Sequence, residues 1–202
     1  MPIYMTDRRR VLAGIAGLGC ATVLPMPAAA MTQAQARTLI DRVMADVQSI
    51  VNSGASDARV YSRFEGLFDQ YGDVPIIARS ALGPPARSAS ASQMRAFTSA
   101  FSSYMARKYG RQFRRFAGAS AAVNDAHPLQ SFWEVETTMT MRGEAPFEVR
   151  WHVSDRSGSN RFFNIIIEGV NVLAAERQEI GTMLERRGGN LERMIQDLQN
   201  AG

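Results

Sequence analysis

The sequence predicts an α+β domain, a curved antiparallel sheet packed against helices that precede it and helices that follow it. Three observations carry this. Apolar residues recur at helical spacing from residue 33 to about 117. After Gly118 the period changes to alternation, with turn sequences between the runs. From about residue 173 the helical spacing returns. Helices, then strands joined by short turns, then helices is the layout of a segregated α+β fold. A chain of 202 residues suits one well-cored domain better than two.

The elements follow in order. Residues 33–53 form a helix, because Leu39, Ile40, Val43, Val47, Ile50 and Val51 keep one face and Asn52-Ser53-Gly54 ends it. Ser56 or Asp57 caps a second helix bearing Tyr61, Phe64, Leu67 and Phe68. Asp73-Val74-Pro75 starts a third, short helix that Gly83-Pro84-Pro85 stops. "PPARSASAS" is a loop or a single turn. The longest helix spans about 92–117. Met94, Phe97, Phe101, Met105, Tyr109, Phe113 and Phe116 occupy half its circumference at about 100° per residue. Arg107, Arg111 and Arg114 oppose them. This aromatic face is the expected cover for the sheet.

Strands are expected over about 119–125, 130–142, 146–155 and 160–168, with His127-Pro128 in a turn. Trp133, Val135, Thr137, Met139 and Met141 share a face, as do Phe147, Val149, Trp151 and Val153, while Glu148, Arg150 and His152 take the other. "RGEAP" and "DRSGSN" make an antiparallel meander. The last strand, "FFNIIIEGVNV" from Phe162 to Val172, is apolar on both faces. Something must cover its second face, either more protein or a ligand. Gly169 is placed where a positive φ or a bulge is needed. Two helices, about 173–187 and 190–200, close the chain.

The first thirty residues read as an export signal and not as part of the fold. They combine a charged start, an apolar run from Val11 to Leu24 and a small-residue end at Ala28-Ala29-Ala30. The run is shorter than the roughly 20 residues a bilayer span needs. Arg8-Arg9 ahead of Val11-Leu12 leaves twin-arginine and general export both open. Cleavage near Ala30 removes three arginines and one aspartate, lowering the formal net charge from +4 to +2. It also removes Cys20, the single cysteine, which excludes a disulfide scaffold, a thiol enzyme and a zinc-thiolate site. A periplasmic protein is expected. A charge of +2 on such a protein speaks against nucleic acid as a partner.

Recognised catalytic spacings are absent from the sequence. There is no nucleophile elbow, no phosphate-cradling glycine loop and no HExxH. His127 and His152 have no second histidine or carboxylate at a recognised ligand spacing, so neither a metal nor another cofactor is expected. Glu134, Glu136, Glu168, Asp41 and Asp46 remain free to pair in space. What stands out is the supply of aromatic and aliphatic side chains, which can form a core or line a ligand pocket.

Three stretches carry a family resemblance over nearly all of the mature chain. They are "IIARSALG" (Ile76 to Gly83), "QMRAFTSAFSSYMARKYG" (Gln93 to Gly110) and "PFEVRWHVSDRSGSNRFFNIIIEGVNVLAAERQEIGTMLERRGGNLERMIQDL" (Pro146 to Leu198). The chain resembles the MlaC, or toluene-tolerance, family of periplasmic lipid-shuttle proteins. Departures are Ala86 where the family has an aromatic, Phe163-Asn164 where it has Tyr-Asp, and Asn171 where it has serine. The resemblance implies a curved sheet on helices, like the nuclear-transport-factor fold. It implies a phospholipid whose tails lie between sheet and helices, no catalytic residues, and a monomer. The implied partners are an outer-membrane lipoprotein–porin complex and an inner-membrane ABC-transporter complex. The residues expected to line the lipid site are Ile76, Leu82, Phe97, Phe101 and Met105 from the helices. Trp133, Val135, Val149, Trp151, Phe163, Ile165, Ile167 and Val170 are expected to join them from the sheet.

The physics agrees with such cargo. A buried methylene is worth about 0.8 kcal/mol, so a sixteen-carbon tail gains on the order of 13 kcal/mol over water. Methionine and aromatic walls are soft enough to let the cargo leave again. Three alternatives stay open at this stage. The first is a carrier of hopanoids or other apolar lipids. The second is an enzyme of the same fold acting on an apolar substrate through Glu134, Glu136 or His152. The third is a module whose groove takes a partner's apolar helix.

Overall fold

The computed structural model describes residues 30–201, except the side chains of residues 113 and 114. The expected export segment lies outside the described residues apart from its last position. Among the described residues no helix is long and apolar enough to cross a membrane.

Helix α1 (Gln33–Val51) begins at a capping box. The Thr32 hydroxyl accepts from the Gln35 amide at 3.3 Å, and the Gln35 carboxamide accepts from the Thr32 amide at 2.8 Å. Thr32→Ala is expected to cost about 1 kcal/mol in urea denaturation through loss of this cap. Helix α2 (Asp57–Tyr71) starts after Ser56. Helix α3 (Val74–Leu82) carries Pro75 in its first turn and ends at Gly83, which has φ 68°. A side chain at Gly83 would meet the Arg177 guanidinium at 3.0 Å, so the Leu82-Gly83 stop is also a docking surface for a later helix. "PPARSASAS" opens as a 3₁₀ turn, Pro84–Arg87. Helix α4 (Ala91–Phe113) runs into a second 3₁₀ turn, Arg114–Phe116.

The strands are β1 (Ser120–Leu129), β2 (Phe132–Thr140), β3 (Phe147–Ser154), β4 (Arg161–Ile167) and β5 (Val170–Asn171). They form one antiparallel sheet in the order β1-β2-β3-β4-β5. His127 and Pro128 lie within β1 and not in a turn, which corrects the sequence expectation. The register pairs Pro128 with Trp133 on an edge strand, the place in a sheet where proline is tolerated. Bulges interrupt the register at Asn124 in β1 and at Phe163 in β4. Each adds twist and helps curl the sheet.

Glu168 (φ 51°) and Gly169 (φ 79°) form a two-residue hairpin turn between β4 and β5. Helix α5 (Val172–Arg186) then starts on Asn171, whose side chain accepts from the Ala174 amide at 3.0 Å. Asparagine is among the preferred capping residues, so Asn171 gives α5 a well-defined start. Helix α6 (Leu191–Asn200) closes the chain, capped by Asn190.

Which helix covers the sheet differs from the expectation. It is α1, whose buried stripe Leu39, Ile40, Val43, Met44, Val47 and Ile50 packs on β1, β2 and β3. Helix α4 packs on α2, α3 and α6 instead. Its aromatic residues serve two neighbourhoods. Phe97, Phe101 and Tyr104 are buried with ring centroids 5.7 and 6.5 Å apart in succession. Met105, Tyr109 and the Phe116 that follows the helix face a hollow beside the sheet.

Candidate functional site

The concave face of the sheet is set by register. Met139, Thr137 and Val135 of β2 stand opposite Phe147, Val149 and Trp151 of β3. Val149 and Trp151 stand opposite Ile167 and Ile165 of β4. The bulge at Phe163 then shifts the phase, so that Phe162, opposite Val153, rejoins Ile165 and Ile167 on this face. Both faces of β4 are therefore apolar for different reasons. Phe162, Ile165 and Ile167 face inward, while Phe163 turns outward against Phe132 (edge-to-face, 5.2 Å) and His152 (5.7 Å). The backbone of β4 also packs against α5 and α3.

Between this face and the helices lies a hollow of about 170 Å³. Val43, Met44 and Val47 of α1, with Phe64, Leu67 and Phe68 of α2, form one wall. Met105, Ala106, Tyr109 and Gly110 of α4 form another, and Phe116, Met139, Phe147, Val149, Trp151, Phe162, Ile165, Ile167 and Val172 complete it. The lining is apolar throughout. Its two amphipathic residues have their polar atoms engaged elsewhere. The Trp151 indole donates to the Thr137 hydroxyl at 3.1 Å, and that hydroxyl donates to the Val149 carbonyl at 2.8 Å. The Tyr109 hydroxyl donates to Glu176 at 2.6 Å. Gly110 is a glycine because a Cβ there would meet the Tyr61 ring at 2.6 Å. The rings of Trp151 and Phe162 meet edge-on at 5.6 Å. Half-buried Phe116, Phe147 and Val172, with Ile167 at 37% exposure, mark the open end.

An engineered apolar cavity of about 150 Å³ stays dry and takes up benzene. The hollow is of that class, and its wall offers a hydrocarbon guest burial without asking for a single hydrogen bond. A larger cleft of about 650 Å³ lies among α2, α3 and α4, but it is lined in part by Glu65, Asp69, Arg79 and Arg95 and cannot shelter a bare alkyl chain in the same way.

Of the residues singled out from the sequence, Met105, Val149, Trp151, Ile165 and Ile167 are on the wall of the hollow. The others are elsewhere. Phe97 and Phe101 are fully buried on α4 and Leu82 is buried on α3. Val135 shares the concave face but is fully buried and does not line the hollow. Trp133 lies at the far end of β2, its indole donating to the Met31 carbonyl at 3.0 Å. Ile76 is 46% exposed on α3 and Val170 is 61% exposed on β5. Phe163 is on the outer face, displaced by the bulge that no alternation rule anticipates. The sequence reading missed the contribution of α1 and α2, because Val43, Val47, Phe64 and Phe68 carry the same helical spacing whether they face core or cavity. Glu134, Glu136 and His152, the candidates for an enzyme's acid or base, stand on the convex face and do not line the hollow.

Residues 37–200 match the family model described as MlaC protein. Among solved structures, the fold is similar to that of a phospholipid-binding protein from Ralstonia solanacearum, determined in complex with a phospholipid. That similarity has a TM-score of 0.69 at 19% sequence identity and covers 83% of this chain and 94% of that one.

Proposed function

The chain belongs to the MlaC protein family, and from that membership we propose that it is a lipid carrier whose hollow takes the acyl tail of a phospholipid. The observation that carries the reading is the wholly apolar lining between the sheet's concave face and the helices. The phospholipid complex of the structurally similar Ralstonia protein supports phospholipid as the cargo. The polar head stays outside the open end at Phe116, Phe147, Ile167 and Val172. A full tail is longer than a hollow of about 170 Å³ accommodates, so loading draws the helices and the sheet apart. The Met44, Met105 and Met139 side chains in the wall repack at low cost as that happens. The carrier works without ATP and without a reaction step. Within a periplasm it passes lipid between an outer-membrane lipoprotein–porin complex and an inner-membrane ABC-transporter complex, and it does so as a monomer.

Native mass spectrometry of the purified protein tests the binding step. One phospholipid per chain is expected, either co-purified or taken up from vesicles. Protein that emerges bare and takes nothing from vesicles overturns the proposal.

A further inference from the structure

The convex face of the sheet, opposite the hollow, carries a second cluster. The register sets His127 of β1 opposite Glu134 of β2, Asp125 opposite Glu136, and His152 of β3 opposite Glu134. One donor atom from each of His127, Glu134 and Glu136 lies within 4.8 Å of the other two.

Glu134 is unusual for a carboxylate on an outer sheet face, since its side chain is only 8% exposed. One of its oxygens, Oε2, is fixed by His152 Nε2 at 2.9 Å. The Asn164 carboxamide oxygen accepts from the Ile165 and Leu173 amides, which turns its nitrogen toward His152 Nδ1 at 3.4 Å. His152 therefore carries its proton on Nε2 and donates it to Glu134. The rings of Phe132 and Phe163 lie 4.7 and 5.7 Å from the His152 ring. Among the described residues none donates a hydrogen bond to the other oxygen, Glu134 Oε1. His127 Nε2 stands 3.6 Å from it and Arg150 Nη1 3.7 Å. Arg150 itself has the Glu148 carboxylate 3.0 Å from its Nε. A carboxylate oxygen left without a protein donor keeps its lone pairs for water or a cation.

His127 points to the same gap. Its Nε2 lies 3.6 Å from Glu134, and its Nδ1 lies 3.7 Å from Asp125 and 3.9 Å from Glu136. These separations are too long for hydrogen bonds. One ion takes one ring nitrogen, and two ligand atoms on it stand about 3.4 Å apart for tetrahedral bonds of about 2.1 Å, so the His127 Nε2–Glu134 pair is already near that spacing and the Glu136 carboxylate closes in by a side-chain rotation. Asp125, Glu134, Glu136 and Glu148 also bring four carboxylates to this part of the face, near the guanidinium of Arg150, a field that favours a cation.

We propose that His127, Glu134 and Glu136 bind one transition-metal cation of the Zn²⁺ type, with water completing its shell. An imidazole with two carboxylates is a donor set that Zn²⁺ accepts and Mg²⁺ does not prefer. His152 acts as the outer partner that orients the buried ligand Glu134. The ion ties the edge strand β1 to β2 across the outer face. The site is separate from the lipid hollow and stands or falls without it. Local spacing conceals it, because the ligands come from two strands and meet only through their register.

The test is titration of the tag-free, metal-stripped protein with ZnCl₂ in a calorimeter, with MgCl₂ as comparison. Thermal melts are followed in parallel. One equivalent of Zn²⁺ is expected to bind and raise the melting temperature, while Mg²⁺ does neither. His127→Ala and Glu136→Gln should each weaken Zn²⁺ binding about tenfold or more. Neither variant removes a buried group, so both should keep the far-UV spectrum of the parent. Absence of saturable binding overturns the proposal. So does Zn²⁺ binding that neither substitution weakens, which would mark a nonspecific surface effect.

Discussion

Ala106→Phe is expected to abolish lipid loading while leaving the protein folded. Ala106 is buried on α4 and its methyl group forms part of the wall of the hollow. A phenyl ring is benzene-sized, and an apolar cavity of about 150 Å³ accepts benzene. The hollow, at about 170 Å³, therefore accepts the ring without severe overpacking. New apolar contacts offset the strain of insertion, so the melting temperature should stay level or rise. The cargo loses that space. Displacing even four methylenes of a tail forfeits about 3 kcal/mol, roughly a hundredfold in affinity. Uptake of a fluorescent phospholipid from vesicles measures the effect. Val47→Phe reaches the same space from α1 and gives an independent block should the first variant unfold. Ile76→Phe, at an exposed position outside the hollow, should load like the parent. Normal loading by folded Ala106→Phe and Val47→Phe proteins would remove the hollow as the tail site.

What was legible in the sequence was mostly what is local. Helix bounds were readable where the Asp73-Val74-Pro75 entry and the Gly83 stop act within a turn of chain, while Ser56 precedes α2 without the side-chain capping bond expected of it. Strand faces on β2 and β3 were readable because their alternation is unbroken, and the observed register keeps Val135, Thr137 and Met139 together. Legibility failed at the points where a single residue changes the phase. Counting in twos puts Phe163 with Ile165 and Ile167, yet the bulge sends it to the opposite face. Pro128 suggested a turn because proline breaks ladders, but on an edge strand its missing N–H costs little.

The choice of covering helix was a different failure. An aromatic stripe on α4 and an aliphatic stripe on α1 are equally amphipathic, and neither periodicity says which one meets the sheet. Cavities are harder still. Phe101 fills space and Met105 borders a hollow, though they lie one turn apart on one helix. The difference is whether a neighbour's side chain reaches across, which depends on every element at once. The apolar faces leave core and pocket both open, the family resemblance favours the pocket, and the packing of the helices on the sheet sets its wall.

Glu176→Ala is expected to loosen α5 from α4 at a cost of about 3 kcal/mol. Glu176 is 1% exposed, and one of its oxygens accepts from both Lys108 Nζ at 2.7 Å and the Tyr109 hydroxyl at 2.6 Å. Lys108, the only lysine in the chain, also reaches Glu179, which accepts from the Tyr104 hydroxyl at 2.7 Å. The ammonium sits 5.4 and 5.6 Å from the Tyr104 and Tyr109 ring centroids. One cation, two carboxylates and two phenols thus clamp the helices beside the open end of the hollow. Removing Glu176 leaves Lys108 and Tyr109 without their buried acceptor. Breaking a fully buried pair costs about 3–5 kcal/mol, and the partial exposure of Lys108 places this case at the low end. Glu179→Ala, with 46% of the Glu179 side chain exposed, should cost under about 1 kcal/mol.

The pH profile has a definite sign. Burial works against the Lys108 ammonium, but its bonds to Glu176, Glu179 and Tyr104 outweigh it and raise its pKa above the ordinary lysine value. Burial and their carboxylate acceptors raise Tyr104 and Tyr109 as well. Those contributions are intact below about pH 10 and fade only as pH climbs through the raised values. The hydrogen bond from Lys108 lowers the Glu179 pKa, so its contribution is present above the ordinary glutamate value and fades as pH falls through the lowered one. The clamp's contribution is therefore level from about pH 5 to about pH 9 and declines on either side. Comparing urea midpoints of the parent and Glu176→Ala across that range isolates it from the rest of the protein. The Lys108→Met, Glu176→Leu double variant should recover much of the loss, because it removes both charges from the interior together. If Glu176→Ala matches the parent's midpoint at every pH, the clamp contributes nothing and the helices are held by their apolar contacts alone.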